Sequence, residues 1–287
     1  MTRKPIVAGQ FYSDYPHKLE EQIKDSFLSE FGPGKLPKKE KDKEIIGAIS
    51  PHAGYPYSGP CAAWTYKEIA EAKLPDLYIM IGLSHSGFPT CISLEDWETP
   101  LGLVKTDKKF GKKLIEKGIE QDEGAHNNEH SIEVQIPFLQ FINKNISDRL
   151  KIMPMIASPD KNYKDTAKII AETIKELKMK VIVIASSDFT HFGMNYGFFP
   201  FKENIKKKLY DMDKGAIENI NKLDPKNFLH YIEKTGATIC GQYPIAVTLE
   251  LCKLMGAKRA DLLKYYTSGD IVDDYGSAVG YASIVIR

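Results

Sequence analysis

Three apolar runs in this chain each end on residues that can do chemistry. Ile45–Ile49 leads into Ser50-Pro51-His52, and Leu77–Ile81 into Gly82-Leu83-Ser84-His85. Val181–Ala185 leads into Ser186-Ser187-Asp188 and then His191. Imidazole binds metal ions and moves protons near neutral pH, and a carboxylate beside it fixes its tautomer and raises its basicity. Asp188 and His191 lie three residues apart in an expected turn, close enough for their side chains to meet. The alternative for Asp188 is an Asx-type cap on the following segment. Histidines delivered by three separate segments suggest one polar site, a metal or an acid–base centre.

The elements that must position these residues follow from the runs themselves. Each is apolar without alternation and rich in β-branched residues, as expected of a strand buried on both faces. Pro51 cannot donate to a sheet ladder and so ends its strand, and Gly54 allows a tight turn into the next helix. The rest of the pattern alternates. Strands are expected near 45–49, 77–82, 91–94, 101–104, 151–156, 181–185, 262–267 and 278–286. Helices are expected from Pro16 and near 60–72, 107–118, 132–143, 162–177, 203–220, 225–234 and 240–255. Alternating elements imply an α/β fold with a mostly parallel central sheet and helices on both faces. In such sheets ligands bind beyond the carboxyl ends of the strands, where the three runs deliver their polar residues. The one clear linker, Gly32-Pro33-Gly34-Lys35-Leu36-Pro37, falls too early to cut off a domain, so residues 1–287 read as a single domain.

Other reactive residues are more ambiguous. Gly82-Leu83-Ser84-His85-Ser86-Gly87 approaches the G-x-S-x-G turn of serine hydrolases, with Ser86 in the fifth position and no amphipathic helix after it. Glu129-His130-Ser131-Ile132-Glu133 opens an expected helix whose buried stripe is Ile132, Ile136 and Leu139. His130 and Glu133 share a face there, and favourable placement in the helix macrodipole suffices to explain Glu133. His17, His126 and His230 read as solvent-exposed. Cys240 lies at an expected helix start, a position that favours thiolate, yet spacing alone ranks it no higher than Cys61 or Cys252.

Composition narrows the class. Lys+Arg 39 against Asp+Glu 38 gives a formal charge of +1, without the basic face that nucleic-acid binding needs. The lysines of 35–43 read as a solvated loop. No apolar stretch reaches the ~18 residues of a transmembrane helix, and Met1–Pro5 lacks the apolar core of a signal peptide. Four scattered cysteines without a C-x-x-C pair fit a reducing cytoplasm better than a disulfide framework. There is no dinucleotide fingerprint, Walker loop or H-E-x-x-H motif.

Taken in order, the motifs resemble one family. Ala8-Gly9-Gln10-Phe11-Tyr12, Pro51–Tyr55, Ser84-His85, Glu129–Glu133, Ser186–Phe189, Thr238–Gly241 and Ser277–Ala282 are similar to the Memo family, whose prokaryotic members are also called AmmeMemoRadiSam system protein B. The resemblance covers nearly the whole chain. It implies a fold similar to class III extradiol ring-cleaving dioxygenases, which hold iron(II) with two His and a Glu and use further His as acid–base groups. Carried over by motif, His52 and His85 become imidazole ligands and Cys240 takes the third position. Asp188 and His191 lie beside the metal, with His130 as a further proton carrier. A thiolate in place of the carboxylate puts ring cleavage in doubt. The set suits iron(II) first, with copper or zinc as alternatives.

The expected function is therefore a metal-dependent, redox or dioxygenase-like enzyme of a small-molecule substrate. The rivals are a peptide-binding or signalling protein, a metal-handling protein without turnover, and a hydrolase using Ser84 or Cys240 with His191. The family's prokaryotic name also points to a radical-SAM pathway partner.

Overall fold

The computed structural model describes residues 1–38 and 42–287, so the middle of the lysine-rich 35–43 stretch lies outside the described residues. The runs that carry the site residues form adjacent strands. Gly102–Thr106, Lys151–Ile156, Leu77–Gly82, Val181–Ser186 and Gly47–Ser50 lie side by side in that order and run parallel. Ser277–Ile286 closes onto Gly47–Ser50 antiparallel and pairs on with Ala260–Thr267 and His191–Gly193. The sheet is thus mixed, with a parallel centre; further antiparallel pairs join Asp96–Thr99 to Gly102–Thr106 and Cys91–Ile92 to Lys151–Ile156.

Absence of alternation in the central strands has the expected cause. Ile79, Ile81, Met153, Met155 and Val183 face one apolar layer, while Tyr78, Met80, Ile152, Ile182 and Ile184 face another. The first layer is covered by the helices Lys108–Glu116, Tyr163–Leu177, Ile205–Asn221, Pro225–Thr235 and Gln242–Leu254. The second is covered by Pro16–Leu28, Tyr55–Ala70 and Ile136–Ile142. Tyr163–Leu177 shows how these helices are specified. Thr166, Ala167, Ile170, Thr173 and Ile174 make one buried stripe, the Asn162 side chain caps the start, and Lys178 closes the end in the left-handed region at φ 53°. Among the described residues, no helix is long and apolar enough to cross a membrane.

Boundaries differ where tertiary contacts outweigh local pattern. The helix expected at 60–72 begins at Tyr55, because Pro56 suits a first turn, and it tolerates Pro60 inside. The helix expected at 132–143 is Ile136–Ile142, preceded by a 3-10 turn at Glu133–Gln135; its stripe of Ile132, Ile136 and Leu139 is fully buried, as expected. The strand Asp96–Thr99 and the short helices Glu123–Asn127 and Ser268–Val272 carry no clear periodicity and were not anticipated.

One buried carboxyl group anchors the segment after Val181–Ser186. Asp213, from Ile205–Asn221, accepts from the Thr190 amide, the Thr190 hydroxyl and the Tyr265 hydroxyl. Burial pushes its carboxyl up from 3.8 to about 6. The folded protein therefore holds this proton over a range where the unfolded chain has lost it, and stability falls as pH rises through that range. A shift of this size corresponds to about 3 kcal/mol. Relative to Asp213→Asn, wild type should lose roughly 2–3 kcal/mol of unfolding free energy between about pH 4 and pH 7. Urea titrations of both proteins across that range check this; a difference independent of pH would count against it.

Candidate functional site

The parallel registers bring the site residues to one level. Ile49 and Ile81 both lie opposite Ala185, so three neighbouring strands end together at Ser50, Gly82 and Ser186. His52, His85 and Asp188 follow these ends by two or three residues and emerge at the same edge. Two further segments close in on that edge. The 129–133 turn approaches Gly82, where an added Cβ would lie 2.5 Å from Ser131 Oγ. The 238–241 turn approaches the end of the third strand, where a Cβ on Gly241 would lie 2.4 Å from the Ser187 Cβ. That close approach brings Cys240 Sγ to 3.4 Å from His52 Nε2.

Hydrogen bonds fix which ring nitrogens are free. The Ser186 hydroxyl donates to the Ser131 carbonyl at 2.6 Å and accepts from Gln135 Nε2 at 2.8 Å. With its own proton committed, Ser186 Oγ can only accept from His52 Nδ1, 3.0 Å away. His52 therefore carries its proton on Nδ1, and the Nε2 lone pair points towards Cys240. The other imidazole is arranged alike. Glu129 receives the His85 Nδ1 proton at 3.0 Å, and its carboxylate also accepts from the amides of His85 and Ser131, each at 2.7 Å. This leaves His85 Nε2 free and its ring held by a carboxylate, the usual arrangement behind a metal-bound imidazole.

The electrostatics follow from burial. Desolvation, aided by the neighbouring His85, depresses His52 to about 3, so its ring is neutral at physiological pH. Desolvation and the His52 and His85 rings likewise lower His130 to about 4. Burial also opposes charge on His85, but the Glu129 carboxylate outweighs it and raises that imidazole. Glu129 resists its own desolvation through the same hydrogen bonds and is held well below the usual carboxylate range. Cys240 contradicts the expectation of a helix-start thiolate. The helix begins at Gln242, and burial together with nearby Asp188 pushes the thiol up, so a cation must displace its proton.

Can these groups hold a metal? His52, His85 and Cys240 each offer a ligand atom, and all three atoms lie within 4.8 Å of one another. A tetrahedron with metal–N of about 2.1 Å and metal–S of about 2.3 Å has a mixed edge of roughly 3.6 Å, close to the 3.4 Å between His52 Nε2 and Cys240 Sγ. His85, Glu129 and His130 form a second grouping of possible ligand atoms. There the His85 Nδ1 and Glu129 oxygens already satisfy each other, so the first grouping is the better donor set.

His52 and His85 border a cavity of about 410 Å³, lined among others by Phe11, Tyr57, His130, Asp188, His191 and Tyr281. His130 stacks on His85, with ring centroids 4.5 Å apart and planes 13° off parallel. Asp188 and His191 do not form the expected pair. Asp188 instead accepts from the amides of His52 and Ala53, at 2.8 and 3.3 Å, and holds the turn that carries the first imidazole. His191 gives its Nδ1 proton to the Thr238 carbonyl at 3.1 Å, while the Thr238 hydroxyl bonds both its amide and its carbonyl. The free Nε2 of His191 is left for the cavity that its ring lines.

A family model described as Memo-like protein matches residues 3–285. The chain belongs to the Memo family. A MEMO1 family protein of Methanopyrus kandleri is 39% identical over 295 residues, covering 100% of this chain and 99% of its own. Another, from Desulfurococcus amylolyticus, is 40% identical over 98% of both chains. Among solved structures, an uncharacterised protein of Escherichia coli K12 shares the fold with a TM-score of 0.51 at 9% identity, covering 84% of this chain and 100% of that one.

In this Memo-family chain, the six residues singled out from sequence, His52, His85, Cys240, Asp188, His191 and His130, all converge on one edge of the sheet. Two readings are corrected here, those of His126 and Glu133. His126 is buried, since its ring packs against Trp97 and its Nε2 lies 3.8 Å from Cys91 Sγ. His17 and His230 are exposed as expected. Glu133 does more than complement a dipole: it is buried and paired with Arg3 at 2.7 Å. Ser84, left open as a nucleophile, accepts the Phe88 amide at 2.9 Å as a turn cap and has no side-chain base bonded to it. Glu129, Ser186, Gln135 and Thr238 were missed as orienting groups. Glu129 is the one whose neighbour, His130, could have drawn attention to it.

Proposed function

We propose that this protein is a metal-dependent enzyme with His52, His85 and Cys240 as ligands, iron(II) as the preferred metal, and a small molecule as substrate. One observation carries the reading. Two imidazoles that line the cavity have their Nδ1 protons committed elsewhere, the free Nε2 of His52 lies 3.4 Å from Cys240 Sγ, and the ligand atoms of His52, His85 and Cys240 lie within 4.8 Å of one another. A bound iron(II) would supply Lewis acidity and one-electron redox capacity. Soft sulfur with imidazole also accommodates zinc or copper, whereas magnesium and calcium prefer oxygen donors.

The residues around the donors have separable tasks. Asp188 fixes the backbone at His52 and Ala53, and Glu129 fixes the ring of His85. His191, oriented through Thr238, has its Nδ1 bonded to a carbonyl and its Nε2 free to exchange a proton with a group in the cavity. His130, neutral and stacked on His85, provides a second acceptor and a wall against bulk water. A protein that only stores metal has no need of an oriented base, and His191 therefore favours an enzyme over metal handling. The Ser84 form of the hydrolase reading loses support because no hydrogen bond joins Ser84 to His191, whose Nδ1 is given to the Thr238 carbonyl; the Cys240 form competes with the metal for the same sulfur.

The test is anaerobic purification followed by metal analysis of wild type and His85→Ala. Wild type should retain about one metal ion per chain, or take it up from iron(II), and His85→Ala should retain far less. Wild-type protein that arrives metal-free and then refuses iron(II), copper and zinc would leave the proposal without basis.

A further inference from the structure

The start of the chain is sewn into the loop that holds the second imidazole. Arg3 is fully buried, and its guanidinium lies 4.1 Å from the centre of the Trp97 ring. Its fork reaches several acceptors at once. Nε donates to the His126 carbonyl at 2.9 Å, one terminal nitrogen to the Glu129 carbonyl at 2.7 Å, and the other to Glu133 at 2.7 Å and the Lys4 carbonyl at 3.2 Å. Glu133 gathers the same stretch of chain from the other side. It accepts from the amides of Ile6 and Val7, each at 3.0 Å, and from the Tyr12 hydroxyl at 2.7 Å. The residue before Tyr12, Phe11, takes the Tyr55 amide on its carbonyl at 2.8 Å and sets its ring 4.8 Å from His130.

This network has a consequence for the donor set. The Glu129 carboxylate that orients His85 sits on a turn with little regular structure of its own, between Glu123–Asn127 and the 3-10 turn at Glu133–Gln135. Arg3 bridges the carbonyls at both sides of that turn and ties them to Glu133 beyond it. A guanidinium can hold this geometry because its donors are fixed in one plane; a lysine ammonium cannot reach the same acceptors together.

We infer that Arg3 and Glu133 are positioning residues for the metal centre: the buried pair sets the 126–133 turn so that Glu129 holds His85 Nε2 towards His52 and Cys240. The inference rests on the metal reading above and extends it to residues that touch neither donor atoms nor cavity. Partners that orient metal ligands typically change metal affinity 10–100-fold. A pair one step further out should therefore lie near the lower end, about tenfold.

Removing Arg3 alone would strand a buried carboxylate, so the primary variant is the double change Arg3→Met/Glu133→Leu, which removes both charges together. Cobalt(II) serves as the probe. It is titrated into metal-free protein and read by competition for affinity and by the thiolate-to-cobalt absorption band for geometry. The double variant should fold, bind cobalt about tenfold more weakly than wild type and show an altered band. Arg3→Lys should not rescue either property. Leu114→Ala, a cavity in the opposite core layer, should lower the unfolding midpoint while leaving affinity and band unchanged. If the double variant does not fold, Tyr12→Phe, which takes one donor from Glu133, should give a smaller, roughly two- to threefold loss in the folded protein. Affinity and band equal to wild type in the folded variant overturn the inference while leaving the metal reading intact. Wild-type protein that takes up no cobalt and no iron(II) overturns the metal reading and this inference with it.

Discussion

Cys240→Ser is expected to lower iron(II) or zinc affinity by more than about 100-fold while the protein stays folded, a larger loss than the 10–100-fold typical of residues that only orient a ligand. The physical case begins with the sulfur's surroundings. Cys240 Sγ lies 3.4 Å from His52 Nε2 and accepts the Asp188 amide at 3.3 Å, so a thiolate formed there has both a neighbouring donor to share a cation and a hydrogen bond to retain. Without a cation, burial keeps the group a neutral thiol. Uptake must then release the thiol proton, and affinity should rise with pH. Serine fits the space but cannot lose its proton under these conditions. It leaves two imidazoles, too few to retain the ion against buffer. Competition titrations of wild type and Cys240→Ser at several pH values measure both effects. Equal affinities, or a pH dependence unchanged by the substitution, would remove sulfur from the donor set.

Gly241→Ala should be the most damaging small substitution near the site. An added Cβ would lie 2.4 Å from Ser187 Cβ, 2.6 Å from Ser187 Oγ and 2.7 Å from the Ser186 carbonyl oxygen. The last of these is strand backbone and cannot swing aside. The Gly241 amide also donates to Ser187 Oγ at 3.0 Å, so the turn cannot retreat without losing that bond. Overpacking of this kind typically costs 1–3 kcal/mol and occasionally more; with a backbone neighbour we expect about 3 kcal/mol in urea denaturation of the metal-free protein. Relief of the clash moves the 238–241 turn away from the strand. Cobalt affinity should drop as well, because Cys240 moves with it. Unchanged stability would mean that the close approach of the turn to Val181–Ser186 is not a constraint on the fold.

These two positions show where sequence reading stops. Cys240 stood level with Cys61 and Cys252 on spacing alone and was singled out only by resemblance to the Memo family. Its partner His52 is 188 residues away. Nothing local marks such a contact, since it depends on a crossover connection and on a glycine whose missing Cβ lets two backbones meet. Asp188 and His191 illustrate the opposite error. Their spacing suggested a pair, but sheet geometry turned the carboxylate towards the His52 amide and gave His191 to Thr238. His126 read as exposed because its neighbours Asn127 and Asn128 are polar, yet the packing of Trp97 and Cys91 buries it.

What the sequence determined by itself was the set of strands and the edge to which they lead. Short uninterrupted apolar runs rich in β-branched residues and bounded by turn signals favour strands covered on both faces, and parallel strands deliver their carboxyl ends to one side. From that alone His52, His85 and Asp188 belonged together. Which nitrogen of each histidine is free, which carboxylate orients which ring, and which of the cysteines joins them were decided only by tertiary structure. Those properties depend on hydrogen bonds between residues more than forty positions apart, such as Ser186 with His52 and Glu129 with His85. A side chain's role in a site is set by directional bonds a few ångströms long, and hydrophobic periodicity carries no record of their direction.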